Sequence, residues 1–125
     1  MLDTSVCVSL IRGHSVLKEL PPTETYQVSV ISVAELEIGI QRSSRREEQR
    51  LAVYGLLALF KILPWDDTIV ADYGEIRADL EKRGEIIGPL DLLIAAHARS
   101  LGATLITANV SEFKRVKGLK VLAWK

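Results

Sequence analysis

Three acidic residues, Asp3, Glu35 and Asp91, stand where this chain changes from one local pattern to another. Asp3 closes a very short apolar start, Met1-Leu2, which reads as the end of a first strand. Glu35 falls in the first turn after an alternating β-branched run at 26–31. Asp91 opens the run from Leu92 to Leu101, which is apolar on nearly every side and therefore belongs inside the protein. In open parallel α/β sheets, sites form at the carboxyl ends of strands, where loops turn into helices. Asp3 and Glu35 are thus candidates for one sheet edge, and Asp91 joins them if its helix begins there. Carboxylates brought that close raise one another's pKa unless positive charge lies between them. A hard divalent cation supplies that charge, and magnesium or manganese suits oxygen ligands best.

Each acid also has a plain structural role. Asp3 can cap a short helix at Cys7, Glu35 fits a capping box with Ser32, and Asp91 fits an N-cap of the core helix. A cap and a cation ligand exclude each other only in part, because a carboxylate has two oxygens. Further on, 107–113 follows a strand, so Asn109 or Glu112 reaches the same edge. Either Asn109 bonds a water or phosphate and Glu112 completes an acidic set, or Phe113 plugs the core below an ordinary loop. His97 lies in the apolar helix and reads as a satisfied core histidine, and His14 is too far along the chain to pair with it. A Gly-x-Ser-x-Gly elbow and a phosphate-cradling glycine loop are both missing from the sequence.

The elements that must hold these residues alternate. A short helix through Leu10 and Ile11, capped at Thr4 or Ser5, ends at Gly13, and a second covers 15–20 before Pro21-Pro22. A strand at 26–31 leads into a helix from Ser32, with Leu36 and Ile40 on one face. The charged stretch 42–48 reads as a solvated turn, followed by a helix at 47–59 with Leu51, Leu56, Leu57 and Phe60 inward. A short strand at 60–63 closes at Pro64, and Asp66 or Asp67 caps a helix to Arg83, with Ile69, Tyr73, Ile76 and Leu80 inward. The core helix and strands at 104–107 and 116–122 complete an α/β chain with a mainly parallel sheet.

With 125 residues, 48% of them hydrophobic, the chain reads as one domain spanning 1–125 with a single core. Sixteen basic residues balance sixteen acidic ones, which weighs mildly against a nucleic-acid binder. The distribution is uneven, with Arg42, Arg45, Arg46 and Arg50 in one cluster and Lys114, Arg115, Lys117, Lys120 and Lys125 in another. Each is a phosphate-facing patch or a solvated face. Cys7, the lone cysteine, sits among valines as a small core residue, and no internal disulfide can form. No uncharged run, the apolar 51–60 included, is long enough to cross a bilayer, so a cytoplasmic protein is expected.

Taken together, four segments resemble the PIN-domain family, and more narrowly the VapC toxins of VapBC toxin–antitoxin systems. They are Asp3-Thr4-Ser5; Ser32-Val33-Ala34-Glu35-Leu36 with Gly39; Gly88-Pro89-Leu90-Asp91 running on to Ala98; and 102–109 with Phe113. The resemblance covers the whole chain in the family's order and spacing. It implies a three-layer α/β/α sandwich and a magnesium-dependent ribonuclease acting on structured RNA, often transfer RNA, with 5′-phosphate and 3′-hydroxyl products. Asp3, Glu35 and Asp91 carry over as the magnesium-binding acids, with manganese a substitute. The fourth position falls to Asn109 or Glu112, and Thr4, Ser5 and Ser32 support the acids. It further implies a VapB-type antitoxin that blocks the site, and a homodimer. The family usually has Asn where Ser5 stands and often Asp where Asn109 stands. These departures leave open a weak or inactive PIN module that binds RNA or a protein. A receiver-like phosphoryl acceptor fits poorly, because no Lys follows Thr107 directly.

Overall fold

The computed structural model describes residues 1–13 and 25–124. The expected helix at 15–20, Pro21-Pro22, His14 and Lys125 lie outside the described residues. All pairings between the described strands are parallel. Strand β1 (Gln27–Ser29) pairs with β2 (Lys61–Leu63), and β3 (Thr104–Thr107) pairs with β4 (Lys120–Ala123). Leu2 joins the two pairs, bridging Val28 on one side and Ile106 on the other. The first strand is therefore reduced to one bridging residue. Its backbone is nevertheless tied on both sides, with Leu2 N donating to Gln27 O at 2.8 Å and Asp3 N to Ile106 O at 2.9 Å.

Side chains alternate across this sheet with the strand period of two. Leu2 and Ile106 join Val6, Cys7, Val28, Leu36, Ile40, Val53 and Leu57 on one face, under α1 (Thr4–Ile11), α2 (Val30–Arg42) and α3 (Arg46–Leu57). Met1 and Leu105 join Ile76, Leu80, Leu92, Ile94, Phe113 and Val116 on the other, under α4 (Val70–Arg83), α5 (Pro89–Ser100) and the short α6 (Val110–Phe113). The result is the expected three-layer α/β/α sandwich. Helix α5 is the most enclosed element, with Leu92 and 94–98 all buried, in keeping with its apolar sequence. Gly84 and Gly102 end α4 and α5 at φ +66° and +63°, a left-handed turn that side chains with a Cβ resist.

Several boundaries differ from the sequence reading. The run at 26–31 stops being a strand at Ser29, and Ser29, not Ser32, is the N-cap of α2, its Oγ accepting from Ile31 N at 3.2 Å. Ser32 and Glu35 therefore sit inside the helix and form no capping box. Asp3, rather than Thr4 or Ser5, caps α1 by accepting from Thr4 N at 2.7 Å. Asp91 is not a cap either. Gly88 holds that position and Pro89 begins the helix, which places Asp91 third within its first turn. The turn between α2 and α3 ends at Arg45, so 46–48 is already helical. Leu51 is 76% exposed because α3 turns Val53 and Leu57 inward, four residues apart, and Leu51 falls on the opposite side. Asp66 caps a single 3-10 turn, Asp67–Ile69, before α4, and Val116 precedes the last strand instead of belonging to it.

Because Ala96 in α5 is fully enclosed, enlarging it must displace neighbours. Ala96→Leu should lower unfolding stability by about 1–3 kcal/mol in urea titration. An unchanged midpoint and slope would contradict this packing.

Candidate functional site

Parallel strands place all their carboxyl ends on one edge, and four acids meet there. Asp3 follows Leu2, Glu35 lies one turn into α2 after β1, Asp91 opens α5, and Glu112 lies on α6 after β3. Asp3 is the most enclosed, at 3% exposure. Its Oδ1 accepts from Thr4 N, and its Oδ2 accepts from two hydroxyls, Ser5 Oγ at 2.9 Å and Thr107 Oγ1 at 2.6 Å. Both lone pairs of Oδ2 are thus engaged, while Oδ1 keeps one. The two hydroxyls are aimed by backbone donors: Ala108 N donates to Ser5 Oγ at 3.1 Å and Asn109 N to Thr107 Oγ1 at 2.8 Å.

Glu35 is half-buried. Its Oε1 lies 2.8 Å from Thr4 Oγ1, which is also 2.9 Å from the buried Ser32 Oγ. A threonine hydroxyl has one proton, and the carboxylate is the stronger acceptor for it. Burial pushes the Glu35 carboxyl above its usual range and the charge of Asp3 adds to this, while the Thr4 hydrogen bond works against it.

Asp91 and Glu112 form the second pair of the cluster. Asn109 Nδ2 donates to Glu112 Oε2 at 2.8 Å, which orients that carboxylate. Asp91 is pushed up to about 7, first by burial, then by its hydrogen bond with Glu112, then by the charges of Asp3, Glu112 and Glu35. Burial is the larger cause and the neighbouring carboxylates add to it, a combination found where acids are gathered in a cleft. As the side chains are placed, however, no three His, Cys, Asp or Glu groups among the described residues stand close enough to hold one ion.

All the acids singled out in the sequence therefore reach one edge; Thr4 and Ser5 contact them directly, while Ser32 touches only the Thr4 hydroxyl. Phe113 is fully buried as well, so its segment both plugs the core and delivers Asn109 and Glu112. Thr107 was not among the expected site residues. A threonine at a strand end is ordinary in sequence, and only closure of the sheet brings it to Asp3, 104 positions away. Arg12 was missed too. It lines a cavity of about 280 Å³ with Thr4, Val8, Glu35, Leu36 and Gln49, beside the acidic edge. Cys7 is no nucleophile, since burial and then the charge of Asp3 push its thiol up to about 12. His97 is a satisfied core histidine, with Nδ1 2.7 Å from Ser29 Oγ. Of the basic clusters, Arg45 and Arg50 pair with Glu48 and Glu37, Lys117 pairs with Asp79, and Arg115 bonds the Glu85 and Ile86 carbonyls. No helix among the described residues is long and apolar enough to cross a membrane.

The raised Asp91 pKa has a consequence for stability. Folding raises it from 3.8 to about 7, so its favourable contribution is complete below pH 3.8 and is lost as pH climbs through 7. In chelator, Asp91→Asn should thus be as stable as the parent near pH 4 and more stable at pH 8. Discounted for partial solvent screening, the gain is about 1–2 kcal/mol, read from urea midpoints. A variant less stable at pH 8 than at pH 4, relative to the parent, would contradict the cost of ionising this buried, crowded carboxyl.

Comparison with known proteins gives one answer. The PIN domain family model matches residues 1–119. Ribonuclease VapC2 of Rickettsia felis is 38% identical over 129 residues, spanning 99% of this chain and 96% of the relative. The tRNA(fMet)-specific endonuclease VapC of Shigella flexneri is 33% identical over 127 residues with the same coverage. Among solved structures, VapBC2 from Rickettsia felis bound to a DNA fragment from its promoter matches with a TM-score of 0.94 at 37% identity, covering 100% of this chain and 98% of that one. The acidic edge thus lies on a fold with a known lineage: the chain belongs to the PIN-domain family, among its VapC members.

Proposed function

We propose that this protein is a magnesium-dependent ribonuclease of the VapC kind, hydrolysing phosphodiester bonds of structured RNA such as transfer RNA and restrained by a VapB-type antitoxin. The observation that carries this reading is geometric: Asp3, locked by Ser5 and Thr107, shares one sheet edge with Glu35, Asp91 and the Asn109-oriented Glu112. Relatives called ribonuclease and tRNA(fMet)-specific endonuclease support it, and so does the solved assembly with an antitoxin.

The donor set fits a hard cation, since every candidate ligand is a carboxylate oxygen, the preference of magnesium and manganese. Asp3, Glu35 and Asp91 would hold it, with Glu112 at the fourth position. When bound, the cation neutralises charge on the scissile phosphate and activates the attacking water. The chain's own residues prepare that arrangement. Ser5 and Thr107 lock Asp3 so that one Oδ1 lone pair stays open, Thr4 orients Glu35, and Asn109 holds Glu112 against Asp91. Ser5 thus replaces the family's usual Asn with a direct contact to Asp3. Arg12, beside Glu35, and the exposed Arg42, Arg45 and Arg46 supply positive charge for the RNA backbone.

Incubating a mixed tRNA pool with purified, partner-free protein tests the reading. Cleavage is expected with magnesium or manganese and not with chelator, and Asp3→Asn or Asp91→Asn should reduce it at least about 100-fold. Chelator-resistant cutting, or full activity of Asp91→Asn, would overturn it. Arg12→Ala should weaken RNA binding and lower the salt slope by about 1. An unchanged slope would remove Arg12 from the RNA path.

A further inference from the structure

The two helices that carry Glu35 and Asp91 touch through one buried polar bond. Ser29 and His97 are 0% and 2% exposed, and Ser29 Oγ lies 2.7 Å from His97 Nδ1. Ser29 Oγ is also the cap of α2, accepting from Ile31 N. The spacing is symmetric. Glu35 follows Ser29 by six residues and Asp91 precedes His97 by six, so about 9 Å of helix separates the bond from each acid. The bond is therefore a pivot, and a rotation of roughly 10° about it displaces either acid by about 1.5 Å. A shift of that size at a site needing defined geometry is enough to cost about 100-fold in function.

A buried imidazole is a costly choice for a place that an apolar side chain would fill, unless its polar atom is used. Here it is used on a hydroxyl that already has a backbone donor. The charged group that faces His97 from a neighbouring element is Asp66, on the 3-10 turn before α4, and burial outweighs it in holding the imidazole neutral. The remaining residues around that side of the ring, Leu63, Pro64, Thr68, Ile69, Ser100 and Leu101, carry no charge.

We propose that His97 is a positioning residue: its bond to Ser29 sets the separation of Glu35 and Asp91 and thereby the affinity of the acidic edge for a divalent cation. This rests on the cation-dependent reading above, and the test separates the two. Manganese binding to the full chain would be measured by calorimetry without RNA, alongside thermal unfolding in chelator. Asn places a polar atom near the position of Nδ1, Gln near that of Nε2, and Leu places none. His97→Leu should lower manganese affinity at least about tenfold, whereas His97→Asn should stay within about threefold of the parent. Ile94→Val, a comparable trim in the same helix, should lower the unfolding temperature and leave the affinity unchanged. Parental affinity in His97→Leu, or equal losses in His97→Leu and Ile94→Val, would overturn the proposal. If His97→Leu does not fold, the Asn and Gln variants decide, with tighter binding by Asn expected and equal binding contradicting it. A parent that binds no manganese would instead sink the cation-dependent reading, and this proposal with it.

Discussion

Like charges held together in a partly buried cleft repel, and much of this structure is arranged around keeping them there. Asp3 cannot retreat, because its backbone is bonded into the middle of the sheet and its carboxylate is tied by Thr4, Ser5 and Thr107. Asp91 cannot retreat either, because α5 is buried along most of its length. Repulsion is therefore relieved by protonation or by a cation. In an ordinary surface cluster the side chains would swing into water, and neither burial nor neighbouring charge would raise a carboxyl as both raise Asp91 here.

Rigidity is divided unevenly along the edge. The backbone parts come from a parallel sheet and an enclosed helix, so the positions of Asp3 and Asp91 are set by the core itself. Glu35 and Glu112 are half-buried, longer side chains steered by single polar neighbours, Thr4 and Asn109. A site with two fixed and two adjustable acids suits a ligand that arrives with its own water and phosphate oxygens. It also accounts for a cluster that is electrostatically coupled while not yet gathered around one point.

The acids and the fold class were legible in the sequence, because apolar period and Gly/Pro punctuation mark the strand ends where such sites form. Finer placements were not. Ser29 and Ser32 are both good caps three residues apart, and it is His97, distant in sequence, that engages Ser29. Asp at a helix start favours the cap, yet Pro89 at the first helical position moves Asp91 into the first turn. That boundary could have been read from the Gly-Pro pair. Thr107 and Arg12 carried no local signal, since their importance comes from partners brought near only by folding. Leu51 was misplaced because several leucines in α3 compete for the inward face, and packing against the sheet selects Val53 and Leu57.

The most direct test of the convergence is a crystal grown or soaked with manganese and recorded at a wavelength where the ion scatters anomalously. The account predicts one or two anomalous peaks at the carboxyl edge, ligated by Asp3 Oδ1, Glu35 and Asp91, with Glu112 at or beside the ion. An ordered, saturated crystal with no peak there, or with manganese bound elsewhere while the Asp91–Glu112 pair stays intact, would contradict it.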